Sequence, residues 1–114
     1  MKSPITTHVL DTTLGKPAQN IEVTLEVSES GVWKMLGQGV TNSDGRVADL
    51  LAHDHALQKG MYRITFATGS YFRACGVVGF YPTVPIIFEV HNSEQHYHVP
   101  LLLNPFGYST YRGS

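Results

Sequence analysis

Ile21-Glu22-Val23-Thr24-Leu25-Glu26-Val27-Ser28 alternates apolar and polar side chains without a fault. Successive side chains of a β-strand point to opposite faces, so this stretch buries Ile21, Val23, Leu25 and Val27 on one side and leaves Glu22, Thr24, Glu26 and Ser28 on the other. A helix would scatter the same residues around its axis. Just downstream, Glu29-Ser30-Gly31 has the size and glycine content of a hairpin turn, which makes Val32 to Val40 the expected partner strand. The same period recurs at Tyr62, Ile64 and Phe66 and again at Ile86, Phe88 and Val90. Turn signals punctuate the rest, among them Gly15-Lys16-Pro17, Asn42-Ser43-Asp44-Gly45, Thr68-Gly69-Ser70 and Asn104-Pro105. Helix is scarce. The two candidates are Ser70 to Cys75, with Ser70 as N-cap and Gly76 as the stop, and Leu50 to Lys59, stopped by Gly60. Seven or eight short strands with frequent turns predict an all-β, antiparallel sandwich of two packed sheets.

The chain's 114 residues, 42% of them apolar and 15% charged, suit one domain over residues 1–114 with a core large enough to do without disulfides. Its one cysteine, Cys75, reads as a small core residue. Eight basic against nine acidic side chains leave a net charge of -1 and no basic run, which argues against nucleic acid as the main partner. No apolar run approaches the ~20 residues of a membrane helix, and the start MKSPITTHVLD shows no signal-type stretch. The expectation is therefore a soluble, cytoplasmic protein, with periplasm and peroxisome as the alternatives.

Six histidines are the compositional oddity, and their placement matters more than their number. In the segment around Val9, the inward residues Ile5, Thr7 and Val9 leave Thr6, His8 and Leu10 together on the second face. In His96-Tyr97-His98-Val99-Pro100-Leu101-Leu102-Leu103, the core-like set Tyr97, Val99, Leu101 and Leu103 leaves His96, His98, Pro100 and Leu102 opposite. Residues two apart on a strand must share a face. Apolar side chains beside imidazoles would stay wet unless a ligand or another subunit covered them, so oligomerisation is expected. Pro100 has no N–H to give a ladder, which points to an edge, a bulge or a break in pairing.

Three readings of these imidazoles follow from the residues alone. His8, His96 and His98 could hold zinc, although no carboxylate stands at an obvious spacing. Without metal they could carry protons, since imidazole titrates near ~6.5. They could also be hydrogen-bonded interface residues. His53, His55 and His91 lie in turn-like segments and read as solvated. Arg46 ends a hairpin-like turn, where it faces water or forks onto a planar carboxylate or urea group. No G-x-S-x-G elbow is present, so a serine-hydrolase triad finds no support.

Taken together, Thr7-His8-Val9-Leu10-Asp11 with Gly15-Lys16-Pro17-Ala18, Asp44-Gly45-Arg46, His96-Tyr97-His98-Val99-Pro100-Leu101-Leu102 and the closing Tyr111-Arg112-Gly113-Ser114 resemble the transthyretin-related 5-hydroxyisourate hydrolase family of urate breakdown. The resemblance implies a transthyretin-like sandwich of eight strands with one short helix, near Ser70 to Cys75. It implies a homotetramer, a dimer of dimers around a channel lined by His8, His98 and Tyr111. It also implies a small-molecule substrate, 5-hydroxyisourate, opened to 2-oxo-4-hydroxy-4-carboxy-5-ureidoimidazoline without metal or organic cofactor. By motif, His8, Arg46, His98 and Ser114 would be the catalytic residues. His8, Arg46 and Tyr111 would bind substrate, with His96, Arg112 and Gly113 in support. In this division His98 deprotonates the attacking water, His8 and Arg46 hold the heterocycle's oxygens, and Ser114 acts through its hydroxyl or terminal carboxylate. The alternative is a non-enzymatic small-ligand carrier on the same scaffold.

Overall fold

The computed structural model describes residues 3–47, 49–51 and 55–114. Eight strands and one helix are present among them: β1 (Ile5–Asp11), β2 (Lys16–Pro17), β3 (Glu22–Glu29), β4 (Val32–Val40), β5 (Gly60–Phe66), α1 (Thr68–Ala74), β6 (Val84–Val90), β7 (Tyr97–Asn104) and β8 (Gly107–Thr110). They form two four-stranded sheets, ordered β2-β1-β7-β8 and β4-β3-β5-β6.

The alternation that defined β3 holds in space, with Val23 and Leu25 fully buried and Thr24 and Glu26 on the other face. Its hairpin to β4 closes through Ser30 and Gly31, both at positive φ, with Glu29 opposite Val32. Two central residues at positive φ match the right-handed twist of the strands they join. From the opposite sheet, Ile5, Val9, Leu101 and Leu103 project into the same core, together with Tyr62, Ile64 and Phe66 from β5. Thr7 also faces inward, and it is accommodated because its hydroxyl donates to the Val99 carbonyl at 2.6 Å.

Four expectations need correction. First, the sandwich is not wholly antiparallel: β1 and β7 run parallel, with Thr6 opposite His98 and His8 opposite Pro100. These strands are separated in sequence by the whole of the other sheet, so no hairpin sets their relative direction. Second, the helix starts at Thr68 rather than Ser70, and Ala67 at its N-cap makes no side-chain cap. Tertiary contacts choose the start: the Thr68 hydroxyl donates to the Tyr81 carbonyl at 3.0 Å. Gly69, part of an expected turn, instead lies against Pro82, whose carbonyl oxygen would stand 2.8 Å from an added Cβ. Gly76 does follow the helix at positive φ, as expected of a stop. Third, Cys75 is exposed, because α1 turns Tyr71 and Phe72 inward instead. Fourth, the described part of the Leu50 to Lys59 candidate is not helical, while positions 52–54, with His53, lie outside the described residues.

Pro100 sits in β7 between two neighbours, neither at an edge nor at a bulge. The effect of its missing N–H falls on the β8 side. His98 accepts from the Gly113 N–H on that side at 2.8 Å, and the main-chain groups of Pro100, two residues on, face the same way. The Thr110 hydroxyl donates to the Pro100 carbonyl at 2.8 Å in place of a ladder bond. Regular β7–β8 pairing accordingly starts at Leu101 opposite Thr110, and the chain re-engages only at a single bridge between His98 and Gly113. Among the described residues, no helix is long and apolar enough to cross a membrane.

Candidate active site

The outer face of the β1–β7 pair carries the imidazoles, as the parity of the two strands predicted. Thr6, His8, His98 and Leu102 are all half-buried there, while Tyr97, Val99, Leu101 and Leu103 are buried beneath. The Thr6 hydroxyl lies 2.8 Å from His98 Nδ1 and 3.2 Å from His96 Nε2, so one residue of β1 touches both the imidazole in β7 and the one just before it.

Arg46 arrives from a separate segment. The Asn42 side-chain oxygen accepts from the Asp44 and Arg46 N–H groups at 2.9 and 3.1 Å, and the Asn42 N–H donates to the Arg46 carbonyl. A short polar side chain that satisfies the backbone ahead of it is a common way to fix a tight turn. The turn is then fastened to β1 by the Val9 N–H, which donates to the Gly45 carbonyl at 2.8 Å. Gly45 is required twice: its φ is +74°, and a Cβ would collide with the Val9 carbonyl oxygen. The result is a backbone bridge between His8 and Arg46.

The tail arrives from a third direction, across the His98 ring. A Cβ on Gly113 would lie 2.5 Å from His98 Cδ2 and 3.2 Å from Pro100 Cγ, so only glycine lets the chain pass this close. Ser114 thereby reaches an open cavity of about 610 Å³ whose wall also includes Thr6, Asn42, Arg46, His96 and His98. His8 is on the same face but is not part of that wall. Tyr111 and Arg112 border a second cavity of about 330 Å³, and His98 is common to both. Arg112 lies over the Tyr97 ring at 4.4 Å and donates to the Gln95 side chain at 3.1 Å. Tyr111 is 57% exposed.

Burial lowers the His98 pKa below 6.5, and the nearby Arg46, His96 and His8 charges push it the same way, against a hydrogen bond to the Thr6 main chain. A neutral imidazole with an available lone pair at neutral pH is the form a general base requires. Among the described residues, no three His, Cys, Asp or Glu side chains converge as a metal site would need. His55 and His91 are exposed, as their turn-like surroundings suggested.

Two residues of this wall, Thr6 and Asn42, carry no functional role in the expectations above. Thr6 was findable, because it shares the strand parity of His8. Asn42 was visible only as a turn former, since nothing in its spacing from Arg46 says that the turn docks beside β1.

The HIUase/Transthyretin family profile matches residues 5–113. A protein of Salmonella dublin called 5-hydroxyisourate hydrolase is 44% identical over 110 residues, which span 96% of this chain and 80% of that one. Among solved structures, the 5-hydroxyisourate hydrolase of Klebsiella pneumoniae superposes with a TM-score of 0.82 at 37% identity, covering 96% of this chain and 92% of that one. Sea bream transthyretin in complex with thyroxine superposes with a TM-score of 0.91 at 28% identity, covering 97% and 95%. A profile match over nearly the whole length and a shared two-sheet architecture agree: the chain belongs to the HIUase/Transthyretin family.

Proposed function

We propose that the chain is a hydrolase that opens the ring of 5-hydroxyisourate in urate degradation, and that it does so with its own side chains and no cofactor. The observation that carries this reading is the meeting of Arg46, His98 and Ser114, from three separate segments, on the wall of one cavity. In this mechanism a water molecule attacks a ring carbonyl carbon while His98 takes its proton. Arg46 and His8 hold the heterocycle's oxygens and stabilise the charge that gathers on the attacked carbonyl. Collapse of that intermediate breaks the carbon–nitrogen bond, and the proton held by His98 passes to the departing nitrogen. Ser114 and Tyr111 keep the ligand in register, while Arg112 and Gly113 hold the tail. Four copies assemble as a dimer of dimers, with the His8 and His98 faces lining a shared channel.

A carrier on the same scaffold is the competing reading. Backbone similarity is higher to the thyroxine-bound transthyretin than to the hydrolase structure, whereas sequence identity runs the other way, 28% against 37%. Identity is the better guide, because side chains carry chemistry and one scaffold hosts several activities. The test follows the ultraviolet decay of freshly generated 5-hydroxyisourate with and without protein. We expect marked acceleration, and a loss on the order of a hundredfold or more in turnover for His98→Asn with assembly unchanged by sedimentation. A decay no faster than the spontaneous one would favour the carrier.

A further inference from the structure

One hydroxyl lies between two imidazoles. Thr6 Oγ1 is 2.8 Å from His98 Nδ1 and 3.2 Å from His96 Nε2; Thr6 and His98 are opposite each other in the β1–β7 ladder, and His96 immediately precedes β7. A neutral imidazole has one N–H, and a hydroxyl has one proton to give but can accept as well. The hydroxyl therefore cannot donate to both rings at once. At least one ring must then donate to Thr6, and the other either accepts the Thr6 proton or donates as well, since a hydroxyl has two acceptor lone pairs.

We propose that Thr6 is a positioning residue that fixes the tautomer of His98, with His96 as the acceptor that orients the Thr6 hydroxyl. The inference rests on the hydrolase reading for its direction. If His98 is the base, its lone pair must be at Nε2, the ring nitrogen that Thr6 leaves available. Its proton is then on Nδ1 and is donated to Thr6 Oγ1, while the Thr6 O–H points at His96 Nε2. His96 acquires a definite task in this arrangement without touching substrate. It receives the one proton that Thr6 can donate, so the hydroxyl keeps its acceptor side toward His98. The groups whose charge acts on His98 are Arg46 from the turn, His8 from β1 and His96 from just before β7. None of them replaces the Thr6 hydroxyl at Nδ1, and the Thr6 main chain, which also hydrogen-bonds the ring, is common to Thr6→Val and Thr6→Ser.

The test pairs Thr6→Val, which keeps the shape and removes the hydroxyl, with Thr6→Ser, which keeps the hydroxyl. Nitrogen-15 NMR of the imidazoles in the full-length protein reports the tautomer without substrate. In the unaltered chain we expect a single His98 tautomer with the proton on Nδ1, and in Thr6→Val a mixture of the two. Turnover in Thr6→Val should fall about tenfold or more in kcat with little change in KM, should recover in Thr6→Ser, and should fall less in His96→Ala. An unchanged His98 tautomer in Thr6→Val would overturn the proposal whatever the turnover. If His98 loses its fixed tautomer with Thr6 while the unaltered chain does not accelerate 5-hydroxyisourate decay, tautomer control stands and the hydrolase reading falls.

Discussion

The outer faces of the two sheets are built by the same alternation, yet they end in opposite electrostatic conditions. On β3 and β5, Glu26 and Arg63 face each other across the ladder, and the guanidinium grips one carboxylate oxygen through Nε at 2.9 Å and Nη2 at 2.8 Å. The same guanidinium lies 4.4 Å from the centre of the Trp33 ring. These two charges already have their partners. On β1 and β7, the corresponding positions hold Thr6, His8 and His98, and a guanidinium, that of Arg46, is brought in by a turn to line a cavity. A face that satisfies its own charges contributes to holding the fold. A face that gathers proton carriers and a cation around open space is arranged for a ligand.

The sharpest way to break this contrast is at the tail. Gly113→Ala would drive a methyl group into the His98 ring, and displacing a catalytic constellation by about an ångström can cost on the order of a hundredfold in rate. Gly107→Ala is the matched control, since its Cβ would come no closer than 3.7 Å to the Asn104 side chain. Steady-state turnover of the two variants should therefore separate widely. Comparable rates would mean that the close passage of the tail over His98 is not needed.

A second, smaller effect sharpens the electrostatic half of the comparison. With His98 as the proposed base and its pKa below 6.5, kcat/KM should hold through neutral pH and fall only in acid. Arg46→Gln removes one of the charges that lower it, so the acid limb should move upward toward 6.5 while burial still holds it below. An acid limb that does not move would mean that Arg46 does not act on the base. The same shift bears on stability. The unfolded chain binds a proton at His98 more readily than the folded one, so this contribution is present above 6.5 and is lost as pH falls through the folded value.

The smallest effect belongs to the self-satisfied face. A double-mutant cycle on Glu26 and Arg63 should give a coupling of about 1 kcal/mol in chemical denaturation. Turnover should not change. A large change in turnover would mean that the two faces communicate.

Much of this architecture was legible in the residues. The alternation of β3, β5 and β7 was enough to choose the buried set, and parity alone placed His8 and His98 on outward faces. The direction of β1 against β7 was not legible, because two strands far apart in sequence carry no turn to orient them. The helix start was hidden for a related reason. Ser70 has the local chemistry of a cap, but the contacts of Thr68 with Tyr81 and of Gly69 with Pro82 decide where the helix begins. Pro100 is an intermediate case: its missing N–H left an edge, a bulge or a break in pairing open, and the break is what lets the tail return over His98.

The parallel union of β1 and β7 has a consequence for how the molecule comes into being. During synthesis Thr6 and His8 emerge well before their neighbours on β7, which follow only after the whole intervening sheet has been made. Joining segments so distant in sequence carries a large loop-closure entropy and slows folding relative to local hairpins. The cavity wall is thus completed after the strands of the other sheet, and a nascent chain can hold the β4-β3-β5-β6 sheet before that wall exists.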